Sequence, residues 1–147
     1  WLMSSSMALP SIIIFSVWKT LGYNMIIYLA GLQAIPQQFY EAATIDGASA
    51  FGRFWRISVP LLAPTTTFIL IYNGILAFQV FDQVFVLTHG GPANATEVIG
   101  LYLYTNAFSF LRMGYGAAIA VVMFVVVALF TVLQWRFVGF GSSEEES

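Results

Sequence analysis

Hydrophobic positions in this chain fall into three long runs separated by short polar connections. The runs cover residues 7–32 (MALPSIIIFSVWKTLGYNMIIYLAGL), 61–87 and 115–137. Each is long enough to cross a bilayer core of about 30 Å, which takes roughly 20 helical residues. A strand needs a closed barrel in lipid and shows alternating character, whereas a run such as VVMFVVVALF does not alternate. The pattern predicts an all-α membrane protein with three transmembrane helices.

The connections have their own grammar. Pro36 suits the first turn of a helix because its missing N–H would be unpaired there. From it QQFYEAATID runs helically to Gly47, which tolerates the left-handed conformation that ends helices. Ser49 is placed to cap a second short helix that Pro60 stops. In that helix Phe51, Phe54 and Trp55 make an apolar stripe beside Arg53 and Arg56, an interfacial pattern. Farther on, the mixed stretch 93–113 carries Val98, Leu101, Tyr102 and Tyr104, and Thr96 is placed to cap an interfacial external helix. Gly114, Gly116, Ala117, Ala118 and Ala120 open the third run with small residues that let helices pack closely.

Composition agrees with a lipid environment. Of 147 residues 59% are hydrophobic, 17% aromatic and 8% charged, with mean hydropathy +0.83, far from the balance of a soluble domain. The absence of cysteine excludes disulfides and thiolate metal sites, and a net charge of −2 points away from a nucleic-acid partner. The chain opens on Trp1 with no basic leader or cleavage pattern, which predicts a fragment of a longer protein. Arg53 and Arg56 follow the first run and Arg136 closes the third, so the positive-inside rule places the loop 33–60 and the C-terminus in the cytoplasm. Arg112 counts against this orientation. The final residues, 139–147, include SSEEES and read as a disordered acidic tail.

Against so apolar a background the polar residues stand out. An ionised side chain near the middle of a span costs about 2.5–3.5 kcal/mol on insertion scales, so Lys19 is expected to face a bundle interior or a water-filled cavity. Ser16, Lys19 and Tyr23 share a helix face with Thr20 beside them, a surface of hydroxyls and an aromatic ring that suits a sugar. In the second run Asn73 is joined by Gln79, Asp82 and Gln83, the last three at i, i+3 and i+4 on one face. Ser16, Lys19, Tyr23, Asn73, Gln79 and Asp82 are the candidates for a translocation path. The plainer reading is pairing within the bundle, with Asp82 as the partner of Lys19 and interhelical hydrogen bonds for the amides. His89, in the turn THGGP, has no metal-ligand companions, and no metal site is expected.

The segment around residue 45 admits two readings. Ala42, Ala43 and Ala48 present almost no side chain while Glu41 and Asp46 add charge, a shallow knob suited to a cleft on another protein. The alternative is a connecting loop whose alanines reflect helix propensity. The run EAATIDGASAFGRFWRISVPLLAP resembles the signature loop of the inner-membrane permease subunits of binding-protein-dependent ABC importers. VWKTLGYNM, LAGLQAIP, FQVFDQVFVLTHGGPANAT and LRMGYGAAIA resemble the carbohydrate branch of that family, so similarity covers nearly the whole chain except its acidic tail.

The resemblance implies the C-terminal part of a type I (MetI-like) transmembrane domain in the cytoplasmic membrane of a bacterium or archaeon. It implies that Glu41, Ala42, Ala43, Asp46, Gly47 and Ala48 dock on a cytoplasmic ATPase subunit, with the second short helix held at the headgroups. It also implies a second homologous permease subunit, an external solute-binding protein and a sugar or related solute, glycerol phosphate and polyols being the alternatives. The chain itself is not expected to be an enzyme or to carry a cofactor. A phosphate-binding loop needs G-x-x-x-x-G-K-[ST], and the single lysine, Lys19, follows Trp18. Other classes remain open: a secondary transporter would need intramembrane carboxylates, and a structural anchor would need no polar stripe.

Overall fold

The computed structural model describes residues 1–138, whose regular elements are all helices, with no strand among them. The acidic tail, 139–147, lies outside the described residues. In chain order the elements are α1 (Ala8–Gln33), α2 (Gln37–Ile45), α3 (Ala50–Arg53), α4 (Val59–Leu61), α5 (Ala63–Phe78), α6 (Asp82–Leu87), α7 (Ile99–Tyr104) and α8 (Met113–Val138). π-Helical turns at Phe54–Ser58 and Thr105–Ser109 extend α3 and α7. The helices α1 and α8 are each long and apolar enough to cross a bilayer. They match the first and third predicted runs to within two residues.

The second run is not one helix. Pro60 does not stop the helix that Ser49 begins, because the wide turn Phe54–Ser58 carries the chain into α4, with the Val59 amide bonded back to the Phe54 carbonyl. The break falls at Leu62 instead. Pro64 lacks the amide that would bond the carbonyl of Pro60, and the chain bends by 61° between Ala50–Leu61 and Ala63–Phe78. At the far end α5 stops at Phe78, and Phe81 adopts a non-helical backbone before α6 starts. The ring of Phe81 packs on Phe85 and Tyr104, which ties this break to α7.

Side-chain pairs show the helices running antiparallel. Tyr28 and Asn24 of α1 meet Thr66 and Asn73 of α5, while Gln134 of α8 donates to the Leu70 carbonyl and Phe130 packs on Phe78. The C-terminal ends of α1 and α8 therefore lie with the N-terminal end of α5, and Arg53, Arg56 and Arg136 share one end of the bundle. The buried core sits at the opposite end, where Ile12, Val84 and Leu101 join α1, α6 and α7. Next to it Thr96 is buried. Its hydroxyl donates to the Gly91 carbonyl and meets the Thr88 hydroxyl at 2.8 Å, so it closes the loop before α7; Val98 holds the cap position that Thr96 was expected to take.

Most apolar side chains of α1 and α8 are exposed, as helices facing lipid or partner subunits require. Of the small residues that open α8, Gly116 alone is buried, and a β-carbon there would come within 2.7 Å of the Ala107 methyl and 3.2 Å of its α-carbon. Gly114 has open space around it. Gly116→Ala is therefore expected to lower the stability of the membrane domain by about 1–3 kcal/mol through overpacking. Gly114→Ala should stay within about 0.5 kcal/mol of the parent. Unfolding in mixed micelles checks this pair, and equal stabilities would show that α7 and α8 are not in close contact.

Candidate functional site

Two regions gather polar side chains. The first is a cleft of about 730 Å³ between α1, α5 and α6. Along α1 the residues Ser16, Thr20, Asn24 and Tyr28 recur every fourth position and so form one stripe, and all four line the cleft. The stripe meets partners in order. Gln83 donates to the Ser16 hydroxyl at 2.6 Å, Asn73 donates to the Asn24 carbonyl oxygen at 3.1 Å, and Tyr28 donates to the Thr66 hydroxyl at 3.3 Å. Beside them Lys19 Nζ stands 3.7 Å from Asp82 Oδ2. Each contact relieves a polar group that would be costly in hydrocarbon, and each ties α1 to the broken second segment.

Five of the six path candidates line this cleft: Ser16, Lys19, Asn73, Gln79 and Asp82. Tyr23 does not, because its ring packs on Tyr72, 5.4 Å away between centroids. Lys19 and Asp82 pair as the sequence suggested. Gln79, Asp82 and Gln83 share the cleft although the helix breaks between Gln79 and Asp82, so the break, not a single helix face, brings them together. Asn24 and Tyr28 were missed. The signal available was the i, i+4 spacing from Ser16, which continues the stripe through residues that look like ordinary membrane-helix side chains.

The second region is α2 with the turn after it. The Gly47 amide bonds the Thr44 carbonyl at 3.1 Å and the Ala48 amide bonds the Ala43 carbonyl at 2.9 Å, the double closure that requires a left-handed residue, and Gly47 has φ +73°. Pro36 precedes the helix as its cap residue, one position earlier than expected. Ser49 accepts from the Gly52 amide at 3.2 Å and starts α3 as expected. Glu41, Ala42, Asp46 and Gly47 are exposed, Ala43 and Ala48 half-buried, and Ile45 is 87% exposed.

Although exposed, this element is tied down. The Tyr40 and Ser58 hydroxyls are 2.9 Å apart, with Ser58 buried, and Arg53 donates to the Thr44 hydroxyl at 2.6 Å. Arg53 thus links the two short helices, a role beyond the headgroup contact expected of it. Phe51, Phe54 and Trp55 stay exposed, with both Phe51 and Phe54 packed edge-on against Trp55. Among the described residues no group of histidine, aspartate or glutamate side chains is placed to hold a metal ion.

Comparison with known proteins gives the arrangement a context. The family model described as "Binding-protein-dependent transport system inner membrane component" matches residues 2–138. The chain is 43% identical over 138 residues to the sn-glycerol-3-phosphate transport system permease protein UgpA of Agrobacterium fabrum, covering 93% of this chain and 47% of that protein. It is 47% identical over 136 residues to the trehalose/maltose transport system permease protein MalF of Thermococcus litoralis, covering 92% and 46%. The chain thus spans about half the length of these curated relatives. A bacterial ABC transporter involved in the import of the acidic polysaccharide alginate shares the fold, with a TM-score of 0.86 at 24% identity over 97% of this chain and 50% of that one.

The Asn24–Asn73 contact can be weighed by a double-mutant cycle with Asn24→Ala and Asn73→Ala. The coupling energy is expected to be about 0.5–1.5 kcal/mol, within the range measured for interhelical hydrogen bonds in membranes. Strict additivity of the two substitutions would show that the amide pair does not hold α1 to α5.

Proposed function

This chain belongs to the family of binding-protein-dependent transport system inner membrane components, and from that premise we propose that it is part of the permease of an ATP-driven importer for sugars or related polyhydroxylated solutes. The whole importer comprises this permease, a second homologous permease subunit, cytoplasmic ATPase subunits and an external solute-binding protein. Names among its relatives point both to a phosphorylated polyol and to neutral disaccharides. The chain does no covalent chemistry and holds no cofactor; ATP is used by the separate ATPase chain.

In this reading α2 is the contact with the ATPase. The observation that carries it is an exposed helix held in a fixed pose by the Tyr40–Ser58 and Arg53–Thr44 contacts. An element that only connected two spans would need neither. Glu41 contributes charge, Ala42, Ala43 and Ala48 permit close approach, Asp46 edges the contact and Gly47 makes the turn. The loop 33–60 and the C-terminus then face the cytoplasm, an orientation supported by the shared end of Arg53, Arg56 and Arg136.

Motion of the docked ATPase reaches the membrane through a short path. Tyr40 and Thr44 pull on Ser58 and Arg53, and the bent rod from α3 to α5 carries the displacement to Asn73 and the cleft. Opening and closing of the cleft between α1 and the second segment then gives the solute access from alternate sides. Ser16, Lys19, Asn73, Gln79 and Asp82 supply hydrogen-bonding groups along that path, and Tyr23 supports it from Tyr72.

Deleting residues 41–47 in the complete transporter is expected to abolish co-purification of the ATPase and transport while leaving membrane insertion intact. Ala42→Trp, which adds bulk to an exposed position of α2, should weaken association without removing the helix. Retention of the ATPase by the deletion variant would refute the docking assignment.

A further inference from the structure

The proposed function leaves open whether the solute is charged, and the cleft itself bears on this. Of its lining residues Lys19 and Asp82 carry charge, one of each sign, and they stand 3.7 Å apart. Both remain reachable, with side chains 54% and 79% exposed. The rest of the polar lining consists of neutral hydroxyls and amides such as Ser16, Asn24, Asn73 and Gln79. From this charge balance we infer that the cleft selects uncharged polyhydroxylated solutes over anionic ones, and that Asp82 is the residue that sets this preference by neutralising Lys19.

The inference rests on the reading of this cleft as part of the translocation path. An anion brought to Lys19 also comes close to the Asp82 carboxylate, so attraction and repulsion largely cancel while the cost of stripping water from the anion remains. A neutral diol meets no such penalty. One of its hydroxyls donates to the Asp82 carboxylate while its oxygen accepts from the Lys19 ammonium, and the amides around them each offer a donor and an acceptor. Apolar positions such as Leu76, Val80 and Phe81 complete the lining and suit the C–H faces of a sugar ring.

Removing Asp82 unbalances the site. Asp82→Asn leaves the Lys19 charge facing the cleft without its counter-ion, and an anion gains what the carboxylate had opposed. Lys19→Met combined with Asp82→Asn removes both charges and returns the cleft to neutrality, which separates the effect of charge from that of disturbed packing.

The test uses the complete membrane complex in lipid nanodiscs, without the solute-binding protein, so that selection by that protein does not enter. Binding is measured for matched pairs differing by one anionic group: galactose and galacturonate, glycerol and sn-glycerol 3-phosphate, trehalose and trehalose 6-phosphate. Within each bound pair the parent complex is expected to prefer the neutral member by on the order of tenfold or more. Asp82→Asn should shrink or reverse that preference, and the double variant should restore it. Tighter binding of the anionic members by the parent, lost in Lys19→Met, would overturn the inference while leaving the cleft as the binding site. Absence of binding by all six probes, or a preference that no variant moves, would overturn the inference together with the cleft assignment.

Discussion

A bilayer interior accepts an ammonium, a carboxylate or an amide only where another group or water receives it. Lys19, Asn24, Asn73, Asp82 and Gln83 all meet this demand along one line between α1 and the second segment. That line determines how the bundle closes. It holds the broken helix against α1 at three levels, from Ser16 through Asn24 to Tyr28, and leaves beside itself a cleft with polar walls. The seam and the polar lining of the cleft thus share Ser16, Lys19, Asn24, Asn73, Asp82 and Gln83.

Breaks in the second segment make this arrangement possible. Without the bend at Leu62 the rod from α3 would continue straight into α5, and without the break after Phe78 Asp82 and Gln83 would keep the register of a single straight helix. The bend also joins the cleft to the region around α2. The exposed helix α2 is fastened to the rod at Ser58 and Arg53, and the rod turns directly into α5, which bears Asn73. A displacement at one end has few places to dissipate before it reaches the seam.

Much of this was legible in the chain before any geometry. Apolar length located α1 and α8, Gly47 and Ser49 marked the turn between short helices, and the isolation of Lys19 in an apolar run called for a partner that Asp82 supplied. What could not be read has identifiable causes. A single proline does not decide whether a helix ends, since a π-helical turn leads the chain through Pro60 into α4 and the break falls only at Leu62, just before the next proline, Pro64. After the end of α5 Phe81 packs locally on Phe85 and, across the loop, on Tyr104, a contact 23 residues away that the chain alone does not reveal. Thr96 had a plausible cap position, yet burial and two hydroxyl contacts drew it into the loop. Tyr23 shared a face with Ser16 by spacing alone, and the proximity of Tyr72 took it elsewhere.

The central claim is that the cleft beside this seam is a water-filled path within the assembled permease. In a transporter whose native reactive cysteines have been replaced, single cysteines at positions 73 and 79 are compared with controls at Val122 and Phe124, exposed residues of α8. The measurement is the labelling rate with a membrane-impermeant thiol reagent in the complete transporter, with and without ATP. The cleft cysteines are expected to react, at rates that change when ATP is supplied, while those on α8 stay unreactive. Unreactive cysteines at both cleft positions in every condition would mean that the cleft is sealed or filled by lipid, and that the seam serves packing alone.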